Sequence, residues 1–184
     1  PESKISTPNL DDMAADGMTF TDAHAPGPLC HLSRYGLMTG TYPFRTDVTV
    51  WPEHAVIQEE ETTIAELLRD NGYSTAMVGK WHLGFEEEGG YENPLPGGPF
   101  HKGFESYFGI RASTDIPPYF YIRDDKAVMP PTLEIEARNT EGWTDIQGEF
   151  WRAGGISPDR DLHEVLPRFT DEAVEVIAAH EQEK

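Results

Sequence analysis

Residues 62–84, TTIAELLRDNGYSTAMVGKWHLG, constrain the fold more than any other stretch of this chain. Thr63 and Glu66 have the spacing of a capping box, which marks the N-terminus of a helix. Asn71–Gly72 is typical of the point where a helix ends, and residues 73–84 then have the composition of a strand. The apolar residues between the two signals recur at helical spacing and are expected to form one buried stripe: Ile64, Leu67 and Leu68.

The same alternation occurs earlier in the chain. In residues 6–20, Thr7 suits a helix N-cap, Pro8 suits the first helical position and Gly17 suits the end. MTFTDAH, residues 18–24, then alternates like a strand. A second helix is expected to begin just after Cys30 and to end near Thr39–Gly40. This order of helices and strands predicts an α/β domain with a largely parallel central sheet flanked by helices.

The second half of the sequence has weaker signals. Residues 86–100 form a Gly- and Pro-rich acidic loop, and PPYFYIRDDKAV predicts a hairpin that turns at residues 123–126. The last residues predict an amphipathic helix capped by Thr170, with Val174, Ile177 and Ala178 on one face. Because neither an internal repeat nor a linker divides the sequence, we expect residues 1–184 to belong to one domain.

The charge of the chain restricts its partners. Lys and Arg total 14 against 33 Asp and Glu, which gives a net charge of −19. Such a surface repels nucleic acid and anionic membranes, so we expect neither as a partner. In addition, no run approaches the ~18 apolar residues of a membrane span. A local positive site for an anion is still compatible with this composition.

Cys30 is the only cysteine of the chain and precedes a predicted helix. The free N–H groups and the partial positive charge at a helix N-terminus lower the pKa of a thiol and favour an anion. Arg34 follows one helical turn later on the same face. Two interpretations stay open at this point, because a lone cysteine is also a common small buried side chain.

Lys80 and His82 are the next candidates for chemistry. If the strand continues through them, the two side chains lie on one face at its C-terminal end, where open α/β sheets place their sites. A solvated Lys and a structural His are the alternative. Ser113 and Asp115 are candidates for hydrogen bonds at a site mouth, although such residues also occur in ordinary turns. His101 is expected to be structural, and the remaining histidines lack the spacing of metal ligands.

These residues carry a resemblance to a known family. CHLSRYGLMTG, residues 30–40, resembles the first signature of the type I sulfatases, which is Cys-x-Pro-Ser-Arg followed by four residues and Thr-Gly. GYSTAMVGKWHLG, residues 72–84, is similar to the second signature, and weaker similarity to arylsulfatase-A-like members extends over nearly the whole chain. The matching positions are Cys30, Ser33, Arg34, Thr39, Gly40, Gly72, Tyr73, Gly79, Lys80, His82 and Gly84.

The resemblance implies an alkaline-phosphatase-like fold and a sulfuric ester hydrolase of the arylsulfatase type. In that family the cysteine, here Cys30, is oxidised to formylglycine, and one hydroxyl of the hydrated aldehyde binds a divalent cation, usually calcium, and attacks the sulfur. The alcohol leaves, and the second hydroxyl then expels sulfate. By resemblance, Arg34 and Lys80 hold the modified side chain, His82 binds one hydroxyl and acts in the elimination, and Ser113 contacts the sulfate with Lys80.

The resemblance also implies partners and a location. The substrate would be a sulfate-ester small molecule or a sulfated glycan, and a formylglycine-generating maturase would modify Cys30. An extracytoplasmic location, periplasmic or secreted, is favoured because members of the family are often exported. Leu32 stands where the signature has Pro or sometimes Ala. The modifying enzymes read this position. Conversion of Cys30 is still expected, either with reduced efficiency or by a particular maturase.

Several of the family's expected residues are not found between Pro1 and Lys184. The first strand with its paired Asp ligands is expected before Pro1, and an Asp-Asn pair, a His and a Lys are expected after Lys184. The chain is therefore expected to be the N-terminal part of a sulfatase catalytic domain, with Cys30 as its one metal ligand and without activity in isolation.

Three alternatives to a sulfatase stay open on the sequence. A phosphoric or phosphonic ester hydrolase of the same superfamily shares these signatures. A pseudosulfatase or binding module would keep the fold with Cys30 unmodified. A thiol hydrolase that uses Cys30 with a His is disfavoured, since no neighbouring His has an orienting acid.

Overall fold

The computed structural model describes residues 4–48, 54–144 and 147–182. The α-helices are α1 (Pro8–Asp16), α2 (Cys30–Thr39), α3 (Ile64–Asp70) and α4 (Val165–Gln182). The strands are β1 (Ala76–Lys80), β2 (Ser106–Ile110), β3 (Tyr121–Arg123), β4 (Lys126–Ala127), β5 (Leu133–Ile135), β6 (Arg138–Asn139), β7 (Phe150–Trp151) and β8 (Gly154–Ile156). Within these ranges, none of the helices has both the length and the apolar character needed to span a membrane.

The central sheet has the strand order β1-β2-β3-β4. Strands β1 and β2 are parallel, whereas β3 and β4 are antiparallel to their neighbours. The predicted α/β class is therefore confirmed, but the described sheet is mixed rather than largely parallel. The physical reason is the predicted hairpin, which is also confirmed: Arg123 pairs with Lys126, and so tight a turn returns the chain antiparallel.

Both faces of the sheet are covered. Tyr107 of β2 belongs to the larger core cluster, whereas the next residue, Phe108, belongs to a second cluster with Tyr121 and Val165. Neighbouring residues of a strand point to opposite faces, which explains the two clusters. The larger cluster also includes Tyr35 and Met38 of α2, while α4 covers the other face through Val165 and its contacts with β1 and β2. This arrangement fixes α2 beside the C-terminal end of β1.

Helix α3 begins with the predicted capping box. The amide of Glu66 donates to the Thr63 hydroxyl over 3.1 Å, and the Thr63 amide donates to the Glu66 carboxylate over 2.8 Å. The predicted buried stripe of this helix is wrong, because Ile64, Leu67 and Leu68 are exposed and Ala65 is buried instead. Close backbone packing turns Ala65 inward: a Cβ at Gly103, whose φ is +96°, would lie 2.2 Å from the Glu66 amide nitrogen.

Two further sequence predictions need correction. Residues 18–24 do not form a strand, and every residue of the preceding α1 is exposed, so this segment has no sheet to join within the described ranges. Thr170 is not a cap, because α4 begins five residues earlier at Val165 and the Thr170 hydroxyl donates to the Leu166 carbonyl over 2.9 Å. The face with Val174 and Ile177 is exposed.

Candidate active site

Cys30 is the first residue of α2 and its side chain is exposed. The extended backbone of Leu29 precedes it, and Leu29 cannot cap the helix with its side chain. The N–H groups of the first helical turn therefore point toward the surroundings of Cys30 without intrahelical acceptors. Exposure rules out the interpretation of Cys30 as a small buried residue, and the helix end is an electropositive environment for an anion.

One hydrogen bond connects the two sulfatase-like signatures, and a second connects the later signature to Ser113. Arg34 donates from Nη1 to the carbonyl oxygen of Lys80 over 2.6 Å, which fixes α2 against the end of β1. Lys80 in turn donates from Nζ to Oγ of Ser113 over 3.0 Å. The structure thus brings together three residues that the sequence singled out, and it places two cationic side chains close to the helix that begins at Cys30.

His82 is held differently from the sequence prediction. Strand β1 ends at Lys80 and His82 has a φ of +61°, so the two side chains do not share one strand face and that prediction is wrong. The turn that follows His82 is tightly packed: a Cβ at Gly84, with φ +75°, would lie 1.8 Å from the His54 carbonyl oxygen. The backbone of His82 is fixed by donation to the Arg111 carbonyl over 2.9 Å.

The imidazole of His82 is buried and lies next to cations. Burial, reinforced by the charge of Lys80, lowers the pKa of His82 to about 3. The ring is therefore neutral over the ordinary pH range and can accept a hydrogen bond. The same burial and neighbouring cations oppose protonation of the ring.

His31 lies beside this site, and sequence reasoning missed it. The centroid of its ring is 6.2 Å from that of His82, with an angle of 56° between the rings. Burial, followed by the charge of Lys80, lowers the pKa of His31. Its position next to Cys30 was the one signal available, because its spacing matches no ligand motif.

The remaining candidates have structural partners. Asp115 forms an ion pair with Arg152 over 2.5 Å, and His101 packs edge-on against Phe100 with the ring centroids 5.8 Å apart. A cavity of about 340 Å³ has Lys80 and Ser113 on its wall. The rest of the lining is mostly apolar, with Thr114 and His163 as the further polar residues.

The donor groups near Cys30 do not make up a calcium site. Within residues 4–48, 54–144 and 147–182, there is no group of three His, Cys, Asp or Glu side chains that could hold a metal ion. Calcium takes 6–8 oxygen ligands. Three side chains meet at this site. Arg34 and Lys80 are cationic, and His82 is buried and neutral, so none of them supplies an oxygen ligand.

A mixed α/β sheet whose first strand ends beside α2, with the cations Arg34 and Lys80 at that end, has the electropositive character of a site for an oxyanion. Comparison with known proteins identifies the class more closely. The family model named Sulfatase matches residues 2–143. The chain belongs to the sulfatase family.

Individual relatives agree with this assignment. Human arylsulfatase A is 43% identical over 145 residues, which cover 77% of this chain and 27% of that protein. N-acetylgalactosamine-6-O-sulfatase of Bacteroides thetaiotaomicron is 34% identical over an alignment that covers 98% of this chain and 42% of that sulfatase. The chain therefore spans less than half the length of either relative.

A solved structure supports the fold. It belongs to work on the metabolism of multiple glycosaminoglycans by Bacteroides thetaiotaomicron. It superposes on 97% of this chain with a TM-score of 0.77 and 27% sequence identity. The chain covers 44% of that structure. The expected fold class, α/β of the sulfatase and alkaline-phosphatase-like type, is confirmed.

Proposed function

We propose that the protein containing this chain hydrolyses sulfuric esters and that Cys30, converted to formylglycine, is its nucleophile. The observation that carries the proposal is the connection from Arg34, in the helix that begins with the exposed Cys30, to the Lys80 carbonyl and from Lys80 to Ser113. Formylglycine supplies a hydrated aldehyde that attacks sulfur and later releases sulfate. A maturase is the partner that would perform the conversion.

The roles of the other residues follow from their charges and positions. A sulfate group beside Cys30 would meet the N–H groups of the first turn of α2, together with Lys80 and Ser113. Fixed cations and dipoles of this kind stabilise charge that develops on sulfate oxygens and on the departing alcohol. Arg34 holds the end of β1 in place and adds positive charge. Neutral His82 would accept a hydrogen bond from the second hydroxyl, which loses its proton when the covalent intermediate breaks down.

A divalent cation is part of the family's chemistry, but the described residues do not suffice to bind it. Among the residues that the structure describes, Cys30, as formylglycine, is the candidate ligand. The other oxygen ligands would have to come from outside the described residues. When bound, the cation would lower the pKa of the nucleophilic hydroxyl.

The names of the relatives suggest the class of substrate. N-acetylgalactosamine-6-O-sulfatase matches 98% of this chain, whereas arylsulfatase A matches 77%. We infer a sulfated glycan or a smaller sulfate ester as the substrate. We also infer an extracytoplasmic location, since sulfated glycans occur mainly outside the cytoplasm.

The direct test is a comparison of two substrates. The full-length protein, produced together with a formylglycine-generating maturase, is assayed for sulfate release from an aryl sulfate and for phosphate release from the matching aryl phosphate. We expect a higher kcat/KM for the sulfate. A higher kcat/KM for the phosphate would favour a phosphoric or phosphonic ester hydrolase, and turnover of neither would favour a pseudosulfatase.

A further inference from the structure

The backbone conformation of His82 has to be maintained by its neighbours. A φ of +61° is uncommon for a residue other than Gly, and such conformations persist where the surroundings hold them. One side of this turn is fixed by the amides of Trp81 and His82, which donate to the carbonyls of Ile110 and Arg111 over 3.0 and 2.9 Å. These bonds make the position of His82 depend on the position of residue 111.

The side chain of Arg111 returns to the same turn. It is 5% exposed and forms an ion pair with the carboxylate of Glu87, which is 12% exposed. The Nε and Nη2 atoms take part, the latter at 3.2 Å from Oε2. Glu87 also accepts a hydrogen bond from the Tyr91 hydroxyl over 2.8 Å. The pair therefore joins the segment after β2 to the segment five residues beyond His82.

Stability alone does not account for this pair. Burying two charges costs desolvation energy that their attraction often only offsets, and an apolar pair of similar size is commonly as stable. Moreover, Nη1 of Arg111 is buried without a hydrogen-bond acceptor among the residues that the structure describes. What the pair does provide is a forked geometry that fixes residues 87 and 111 relative to each other.

We propose that Arg111 and Glu87 are positioning residues that hold His82 at its place in the sulfatase reaction. This proposal rests on the proposed function. The anion-binding Lys80 is held independently of this pair, since it is fixed by the β1–β2 ladder and by Arg34. Loss of the pair is therefore expected to lower kcat, through misplacement of His82, while KM stays near its original value.

The experiment compares single and double replacements in the full-length, matured protein. Arg111→Met leaves Glu87 buried without its partner, so both the melting temperature and kcat are expected to fall. The double variant Glu87→Leu with Arg111→Met is expected to recover the melting temperature, because the buried charges are gone. Its kcat is expected to stay lower by about tenfold or more, with KM changed by less than about twofold.

The control is a second Arg–Glu pair in another part of the protein. Arg123 of β3 and Glu172 of α4 form an ion pair on the opposite face of the sheet from His82. Arg123→Met with Glu172→Leu is expected to leave both kcat and KM unchanged. This control shows whether the loss of any ion pair between two secondary-structure elements lowers activity, or only the loss of Arg111–Glu87.

The outcomes separate the two proposals. If the double variant recovers kcat together with stability, or if KM rises while kcat is unchanged, the positioning role is overturned and the sulfatase function stands. If the wild-type protein with confirmed formylglycine hydrolyses no sulfate ester, the proposed function is overturned, and the positioning role falls with it.

Discussion

The ammonium nitrogen of Lys80 lies 3.0 Å from the hydroxyl oxygen of Ser113, although 33 positions separate the two residues in sequence. Parallel pairing of β1 and β2 brings them together, because the strands end side by side at Lys80 and Ile110. The contact holds a cation on the wall of a cavity, at the end of β1 that Arg34 joins to the helix beginning at Cys30. It also gives the first prediction.

Replacement of Lys80 by Met removes the charge and retains much of the side-chain volume. We expect kcat/KM for an aryl sulfate to fall by about 10²-fold or more, because a fixed cation that faces developing charge is lost. Ser113→Ala is expected to have a smaller effect, of about tenfold. Kinetic assays of the two single variants and the double variant would show effects that do not add, since the residues share one hydrogen bond. Strict additivity would contradict the coupling.

A second prediction concerns Leu32, which stands where the family signature has Pro. Its side chain is half-buried against the core, and its amide belongs to the first turn of α2, where intrahelical acceptors are absent. Proline is therefore compatible with this position of the helix. We expect Leu32→Pro to raise the fraction of Cys30 converted to formylglycine, as measured by mass spectrometry.

The control for this change is Leu32→Met, which keeps an apolar side chain of similar volume. Its converted fraction is expected to equal that of the original protein. If proline and methionine give the same fraction, residue 32 does not limit maturation.

The third prediction is a pH dependence of stability. The pKa of His82 is about 3 in the folded protein, whereas an exposed histidine has a pKa of about 6.5. Between these values the unfolded chain binds the proton and the folded protein does not. The free energy of unfolding therefore falls as the pH decreases from about 6.5 toward 3, by at most about 1.4 kcal/mol per pH unit for this one proton.

The measurement is denaturant unfolding of the protein and of His82→Gln at several pH values in this window. Carboxylates titrate in the same range, so the informative quantity is the difference between the two proteins at each pH. The variant is expected to lose less stability on acidification. Parallel curves for the two proteins would contradict a buried neutral His82.

The fourth prediction tests the cap of α3. The Thr63 hydroxyl accepts from the Glu66 amide and donates to the Lys102 carbonyl over 2.7 Å, in a buried position. Thr63→Ala is expected to lower the free energy of unfolding by about 1–2 kcal/mol. Thr7 is the matched control, because it precedes α1 and makes no side-chain cap bond to that helix. Thr7→Ala is expected to change the free energy of unfolding by less than about 0.5 kcal/mol. Equal effects would contradict the capping account.

Local signals in the sequence predicted part of this fold well. The capping box at Thr63, the extent of α2 and the turn at residues 123–126 all depend on interactions between residues a few positions apart. Such interactions can be predicted from residues that are close together in the sequence. The exposed Ile64 shows the limit of this reasoning, because the face that α3 buries is set by contact with Gly103, far away in sequence.

The candidate site was predictable as a set of residues but not as a geometry. The resemblance to sulfatases indicated Cys30, Arg34, Lys80 and His82. The positive φ of His82 and the proximity of His31 arise from tertiary packing, and no local pattern encodes them. The Arg111–Glu87 pair was missed for the same reason, since 24 residues separate its members.

The central claim is that Cys30 becomes formylglycine. The most direct measurement is mass spectrometry of the peptide that contains Cys30, isolated from the full-length protein in its native host. Conversion exchanges sulfur for oxygen and removes two hydrogens, and the aldehyde is then trapped by a hydrazine reagent. We predict a peptide with this lower mass that reacts with the reagent. A peptide that carries only an intact thiol at Cys30, from protein that nonetheless hydrolyses sulfate esters, would contradict the account.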